Sequence, residues 1–225
     1  MTAFTALLLT MSAATQPAYV PEFDPRTLKA NVAGMPGELL VLGTPHLSGL
    51  PESFGPENLD PLLARLAEWK PAIITIEGLS GPDCEHLVRY KPLYPGAADY
   101  CQDPAAAQKA VGLDMVAATV EADKLLGAWP ANPAPGDRRR LAALFLAGGE
   151  PASALVQWLR LPANERRASD GLDAALVAEL DKLVTRRNEN FLIGAALAAR
   201  LGLEGVYAAD DHSADGVTAS LDKDP

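Results

Sequence analysis

Glu38-Leu-Leu-Val-Leu-Gly-Thr-Pro-His46 is a short apolar run that stops at glycine and then delivers a histidine. An apolar run of this length, bounded by Gly and Pro, reads as a buried strand. A reactive side chain just past such a strand lies at the carboxyl edge of a sheet, where open α/β folds bind ligands. The pattern recurs twice. Ala72-Ile-Ile-Thr-Ile-Glu77-Gly78 reads as a second buried strand ending in a carboxylate. Gly205-Val-Tyr-Ala-Ala-Asp210-Asp211-His212 reads as a third, ending in two carboxylates and a histidine. Strands over 38–43, 72–77 and 205–210 would thus present acids and histidines at one rim.

Between the first two strands, Asp60-Pro61 opens a helix, with Asp as cap and Pro at the first helical position. Leu62, Leu63, Leu66 and Trp69 form its apolar face, and Lys70-Pro71 ends it. Strand, helix, strand is a right-handed parallel unit by strong precedent. Residues 79–185 are rich in Ala, Leu and Pro, with helical patterns near 103–129, 137–147, 150–159 and 172–183. This stretch reads as a helical insertion that either lids the strand edge or covers one sheet face. Arg187-Asn188-Glu189 begins a further helix that runs through Leu201 and stops at Gly202. A helix feeding the third strand runs antiparallel to it, so its N-terminus shares the rim with Asp210, Asp211 and His212. The expected fold class is α/β, a mostly parallel sheet with a large helical insertion between strands two and three.

The chain has 225 residues, 48% apolar and 21% charged, which suits one globular core. A formal net charge of -10 argues against nucleic acid as a partner, since phosphate binding needs a basic surface. Residues 1–14 hold a short apolar core followed by Ser12-Ala13-Ala14, the outline of a secretory signal without a basic residue ahead of it. Residues 15–36 read as an irregular approach segment and 37–225 as a single domain. Export predicts a periplasmic or secreted protein; a segment that is only a frayed helix predicts a cytoplasmic one. No stretch is long and apolar enough for a stable membrane span. Cys84 and Cys101 share a loop-rich stretch and form a disulfide if the chain is exported, or remain two free thiols if it is not.

His46 and Glu77 head the candidates, because each follows a buried strand. A carboxylate there is costly unless paired, protonated or metal-bound. Arg187 and Asn188 open a helix at the same rim, with ordinary solvated-start and capping roles as the alternative. Asp210, Asp211 and His212 either contribute one member to the site or cap a turn. His86 reads as incidental and Arg138-Arg139-Arg140 as a solvated helix face. A bound divalent metal would take His46, Glu77, Asp210 and His212. Without metal, His46 would be the base and Glu77 would orient or protonate it, with Arg187 and Asn188 beside them.

The Gly43-Thr-Pro-His46 turn, Glu77 after strand two, and Arg187-Asn188-Glu189 followed by Leu-Gly and Val-Tyr-Ala-Ala-Asp210 resemble an uncharacterised exported bacterial family, a domain of unknown function related to the TraB/Tiki, ChaN and erythromycin-esterase superfamily. The resemblance covers about residues 38–79 and 185–215. It implies an α/β fold with a site at the strand ends. Tiki-like members imply metal-dependent peptide hydrolysis, with zinc or manganese. Esterase-like members imply metal-free hydrolysis by His and Glu, and ChaN-like members imply haem binding. The substrate would be a small molecule or peptide. The second Gly-x-x-His of the family has no counterpart, because neither His86 nor the later Asp211-His212 has a glycine three residues before its histidine. Set against the family, the chain resembles a C-terminally shortened version. That implies an incomplete sheet, weak or absent turnover, ligand binding without chemistry, and a free strand edge as a route to a homo-oligomer.

Overall fold

The computed structural model describes residues 37–213 and 215. The expected signal segment 1–14, the expected approach segment 15–36 and most of the chain after His212 lie outside the described residues. The chain divides into two compact units, Met1–Leu42 and Gly43–Pro225.

The described part of the first unit corrects the expected first strand. Residues 37–43 belong to no strand, and Leu39 and Val41 are 88% and 85% exposed. A run that is apolar on both faces is stable as a strand only when both faces are covered and an edge is paired. Periodicity records the apolar faces and is silent about the neighbour.

The second unit is a mixed α/β fold in which helix predominates. Helix α1 (Asp60–Trp69) leads to strand β1 (Thr75–Ile76), and α2 (Gly81–Arg89) follows. Next come α3 (Ala105–Val111), α4 (Met115–Gly127), α5 (Pro135–Ala147), α6 (Pro151–Leu159) and α7 (Ala174–Thr185). A π-helix over Asn190–Ala195 runs directly into α8 (Ala196–Leu201), and β2 (Tyr207–Ala208) follows. The helical pattern near 103–129 is two helices, because Gly112 takes φ +71° and caps α3.

Among the described residues the sheet consists of β1 and β2 alone, paired in parallel with Thr75 opposite Tyr207 and Ile76 opposite Ala208. All of α2–α7 lies between the two strands in sequence, where the helical insertion was expected. These helices are the body of the protein. The main core is built from α5, α6 and α7, where Leu155, Trp158, Leu180 and Leu183 are fully buried, and Ile74 and Ile76 pack against it. Each such burial contributes roughly 1.5–3 kcal/mol. Trp158 also donates its Nε1–H to Asp181 at 2.9 Å, so its polar atom is satisfied. A second cluster joins Leu47, Leu59 and Leu63 to Leu192, Ile193 and Leu197, and so fixes α1 and the turn after His46 onto the π-helix.

The arginines at the start of α5 correct another expectation. Arg138 and Arg139 are buried, at 8% and 5% exposure, not on a solvated face. Arg138 donates to Gln157 at 2.8 Å and to Glu204 at 2.9 Å; Arg139 pairs with Glu165 and Asp170, both at 2.7 Å. Burial of a guanidinium is tolerated only with this degree of pairing. Arg140 does face solvent, beside Glu121 at 3.3 Å. Among the described residues no helix is long and apolar enough to cross a membrane.

Candidate active site

Leu47 is 3% exposed in the second cluster, and the short 3-10 turn Leu47–Gly49 closes on it through Gly49 N–H to the His46 carbonyl, 3.0 Å. A buried leucine at 47 and Pro45 before it hold His46 at the surface, facing the start of the π-helix. There His46 Nδ1 meets Glu189 Oε1 at 2.9 Å, across 143 residues of sequence. The imidazole is 79% exposed and the carboxylate 21%, so the ring is open to a substrate while its partner is shielded.

Glu189 is held by its neighbours. The Asn188 side-chain oxygen accepts from Asn190 N–H at 3.0 Å, and its carbonyl accepts from Leu192 N–H at 2.9 Å. Phe191, Leu192, Ile193, Gly194 and Ala195 are all buried. A Cβ on Gly194 would lie 2.6 Å from Ile76 Cγ2, so glycine lets the π-helix seat directly on β1. Arg187 donates to the Leu50 carbonyl and so ties the loop after His46 to the same segment. Asn190 donates to the Glu77 carbonyl at 2.5 Å. Single-turn π segments recur at functional sites, and this one gathers Arg187, Asn188 and Glu189 against His46 and the end of β1.

Glu77 reaches this neighbourhood only through its backbone. Its side chain is exposed, and no described residue bonds its carboxylate, so the expected roles as partner of His46 or of Arg187 fall to Glu189 and Leu50. An exposed acid carries no burial cost and needs no partner. The sequence puts Arg187-Asn188-Glu189 at the rim, and the acid at its third position, not the first two residues, is the partner of His46.

Asp210 and His212 form a separate group. His212 Nε2 lies 3.1 Å from Asp210 Oδ2, its Nδ1 lies 2.8 Å from Asp215 Oδ2, and its ring stacks on Tyr100 at 3.8 Å. Asp211 turns away; Ser213 N–H and its hydroxyl hold the Asp211 carboxyl below the usual range. The metal set of His46, Glu77, Asp210 and His212 is therefore not assembled, and among the described residues no three His, Cys, Asp or Glu side chains are placed to hold an ion. The donor set does not fit a divalent metal. Cys84 on α2 and Cys101 are joined in a disulfide. His86 contacts the rings of Tyr90 and Tyr94.

A carboxylate only accepts, so Nδ1 is the donor to Glu189; in the neutral ring Nε2 then carries the lone pair, on an imidazole that is largely exposed. That arrangement can accept a proton from water. No family model, curated protein or solved structure matches the chain.

Proposed function

We propose that the protein is a hydrolase of an ester or amide in a small molecule or peptide, with His46 as general base and Glu189 as its orienting partner. The 2.9 Å contact between them carries the reading. Water would lose a proton to His46 Nε2 as its oxygen adds to the substrate carbonyl carbon. The tetrahedral adduct would then expel the alcohol or amine, which takes the proton back from Nε2. Glu189 fixes the ring and balances the imidazolium in between. Arg187 uses one donor on Leu50 and has further N–H groups for the developing oxyanion. Asn188 acts through position, by setting the turn that carries Glu189.

The proposal extends to a kinship with the TraB/Tiki, ChaN and erythromycin-esterase superfamily, and favours its metal-free members, because the metal donors stand apart. It also takes β1 and β2 as one section of a mostly parallel sheet. Ile73 and Tyr207, 67% and 62% exposed, are the apolar side chains a further strand or a second copy would cover. The Cys84–Cys101 bond supports export, since disulfides persist in oxidising compartments.

A panel of chromogenic esters and anilides, assayed with and without a chelator, tests the chemistry. Turnover that resists the chelator and is lost in both His46→Ala and Glu189→Gln supports the reading. Turnover unchanged in those variants, or no turnover on any substrate, overturns it. A mature mass that begins near Thr15 tests export.

A further inference from the structure

A cavity of about 460 Å³ lies away from the His46–Glu189 pair, between β2 and helices α2, α4, α5 and α6. Its volume is within the range of roughly 300–1,000 Å³ typical of small-ligand sites. The walls are mostly apolar, with Ala122 and Leu126 from α4, Leu144 and Phe145 from α5, and Val206 before β2.

Its polar groups are nearly all committed within the protein. Ser80 bonds Asp83, Thr119 donates to the Met115 carbonyl at 2.9 Å, and Ser153 donates to the Val206 carbonyl at 2.9 Å. Glu204 is held by Gln157, Arg138 and Arg160 at 2.8, 2.9 and 2.7 Å. Two carboxylates and the Tyr207 hydroxyl remain. Glu150 accepts from Gly81 N–H through Oε1 at 2.9 Å and has its other oxygen without a described partner. Asp123 stands exposed on α4, also without one. Neither Lys nor Arg lines the space. An apolar chamber with two uncommitted carboxylates, a neutral hydroxyl and no cation of its own is complementary to a cation on an apolar chain.

We propose that this cavity binds a small primary ammonium compound with a short aliphatic chain, its head on Glu150 with Asp123 at the rim and its chain against α4 and α5. Glu150 is itself poised for this. Burial pushes its carboxyl up to about 7, against the hydrogen bond from Gly81, and the nearby Asp83 charge adds to the rise. The other titratable groups lining the same space are Asp123 from α4, Tyr207 from β2 and Glu204, which Arg138 and Arg160 neutralise. An ammonium would supply the missing counter-charge, so binding should release a proton from Glu150 and strengthen as the pH rises through neutrality.

Calorimetric titration of the full chain with n-hexylammonium chloride, 1-hexanol and hexanoate tests this. The ammonium should bind about tenfold more tightly than the alcohol, with hexanoate weakest. Shortening the chain should weaken binding about fourfold per methylene. Glu150→Gln, which keeps an oxygen for Gly81 N–H, should abolish both the preference for ammonium and the proton release seen between buffers of different ionisation enthalpy. Asp123→Asn, at an exposed position, should lower ammonium affinity and leave hexanol unchanged, which keeps the test open if the Glu150 variant fails to fold. Absent binding of hexylammonium at millimolar concentration, equal binding of the alcohol, or undiminished discrimination in the variants overturns the proposal. The outcome is independent of any hydrolysis at His46.

Discussion

Gly81 and Gly148 meet backbone to backbone: a Cβ on residue 81 would lie 1.7 Å from the Gly148 carbonyl oxygen. The first turn of α2 therefore rests on the turn that links α5 to α6. Gly149 completes the crossing with φ +77°, a conformation that favours glycine. The same crossing points the Gly81 N–H at Glu150, so one contact sets both the packing of α2 and the chemistry of the cavity.

Gly81→Ala should consequently cost at least the roughly 1–3 kcal/mol of an overpacked core, since backbone must move to admit a methyl group. Urea unfolding should show a lower midpoint with an unchanged slope. A midpoint equal to that of the parent would mean that the crossing is looser than described.

Glu150 should govern the pH dependence of stability near neutrality. Its carboxyl is raised from 4.5 to about 7, so in that interval the folded protein holds a proton the unfolded chain has lost. Stability then falls as pH rises across the window, by up to about 3 kcal/mol. Asp170 and Glu204 act oppositely. Arg139 lowers the first; burial works against the second, but Gln157, Arg138 and Arg160 together hold it down. Their contributions are present above the ordinary values of 3.8 and 4.5 and are lost as pH falls through the lowered ones. Maximum stability is expected at about pH 5. In Glu150→Gln the decline between pH 5 and 7 should flatten, which unfolding midpoints at several pH values would reveal.

The His46–Glu189 pair should matter for turnover and hardly at all for stability. The ring is 79% exposed, so His46→Ala should shift unfolding by no more than about 0.5 kcal/mol. Turnover should fall about 10²- to 10⁴-fold, as for loss of a general base. A variant that unfolds markedly would instead assign the pair a structural role.

Breaking the arginine cluster should be far more damaging. Arg138→Ala strips Glu204 and Gln157 of a buried partner, at a cost of about 3–5 kcal/mol. Replacing exposed Arg140 should be nearly silent in the same unfolding assay.

Reduction should loosen the region around α2. The disulfide spans a sequence separation of 17, and closing such a loop contributes about 3 kcal/mol. Melting with and without reductant, alongside intact mass after alkylation, reads this directly. Tyr100 precedes Cys101, so its stack on His212 should weaken in parallel, visible in the histidine ring resonances.

Local pattern carried the two paired strands and the helical middle, because period and Gly/Pro punctuation report which side of an element is buried. It failed where an outcome depends on a distant partner. Residues 38–43 have the composition of a strand, yet strand formation depends on a neighbour that composition does not name. Arg138 and Arg139 look like solvent residues; their acids lie 66 and 26 residues away. His46 and the Arg187-Asn188-Glu189 segment could be read onto one rim, but the choice of Glu189 over Glu77 turns on which carboxylate points inward. The cavity left no trace in the sequence, since its walls are ordinary helix residues.

The π-helix over Asn190–Ala195 gives the segment that carries the site one residue of slack in chain length. A π turn holds one residue more than an α-helix would use over the same rise. Deleting a single residue inside it would restore regular α-helix with both flanks in phase, so Glu189 would stay with His46 and Arg187 with Leu50. Deleting a residue from α8 meets no such slack: everything upstream would swing by about 100° around the helix axis, the angle between successive α-helical residues. Insertions and deletions are usually absorbed by loops, but here one helical turn can lose a residue that the next turn of the same helix cannot.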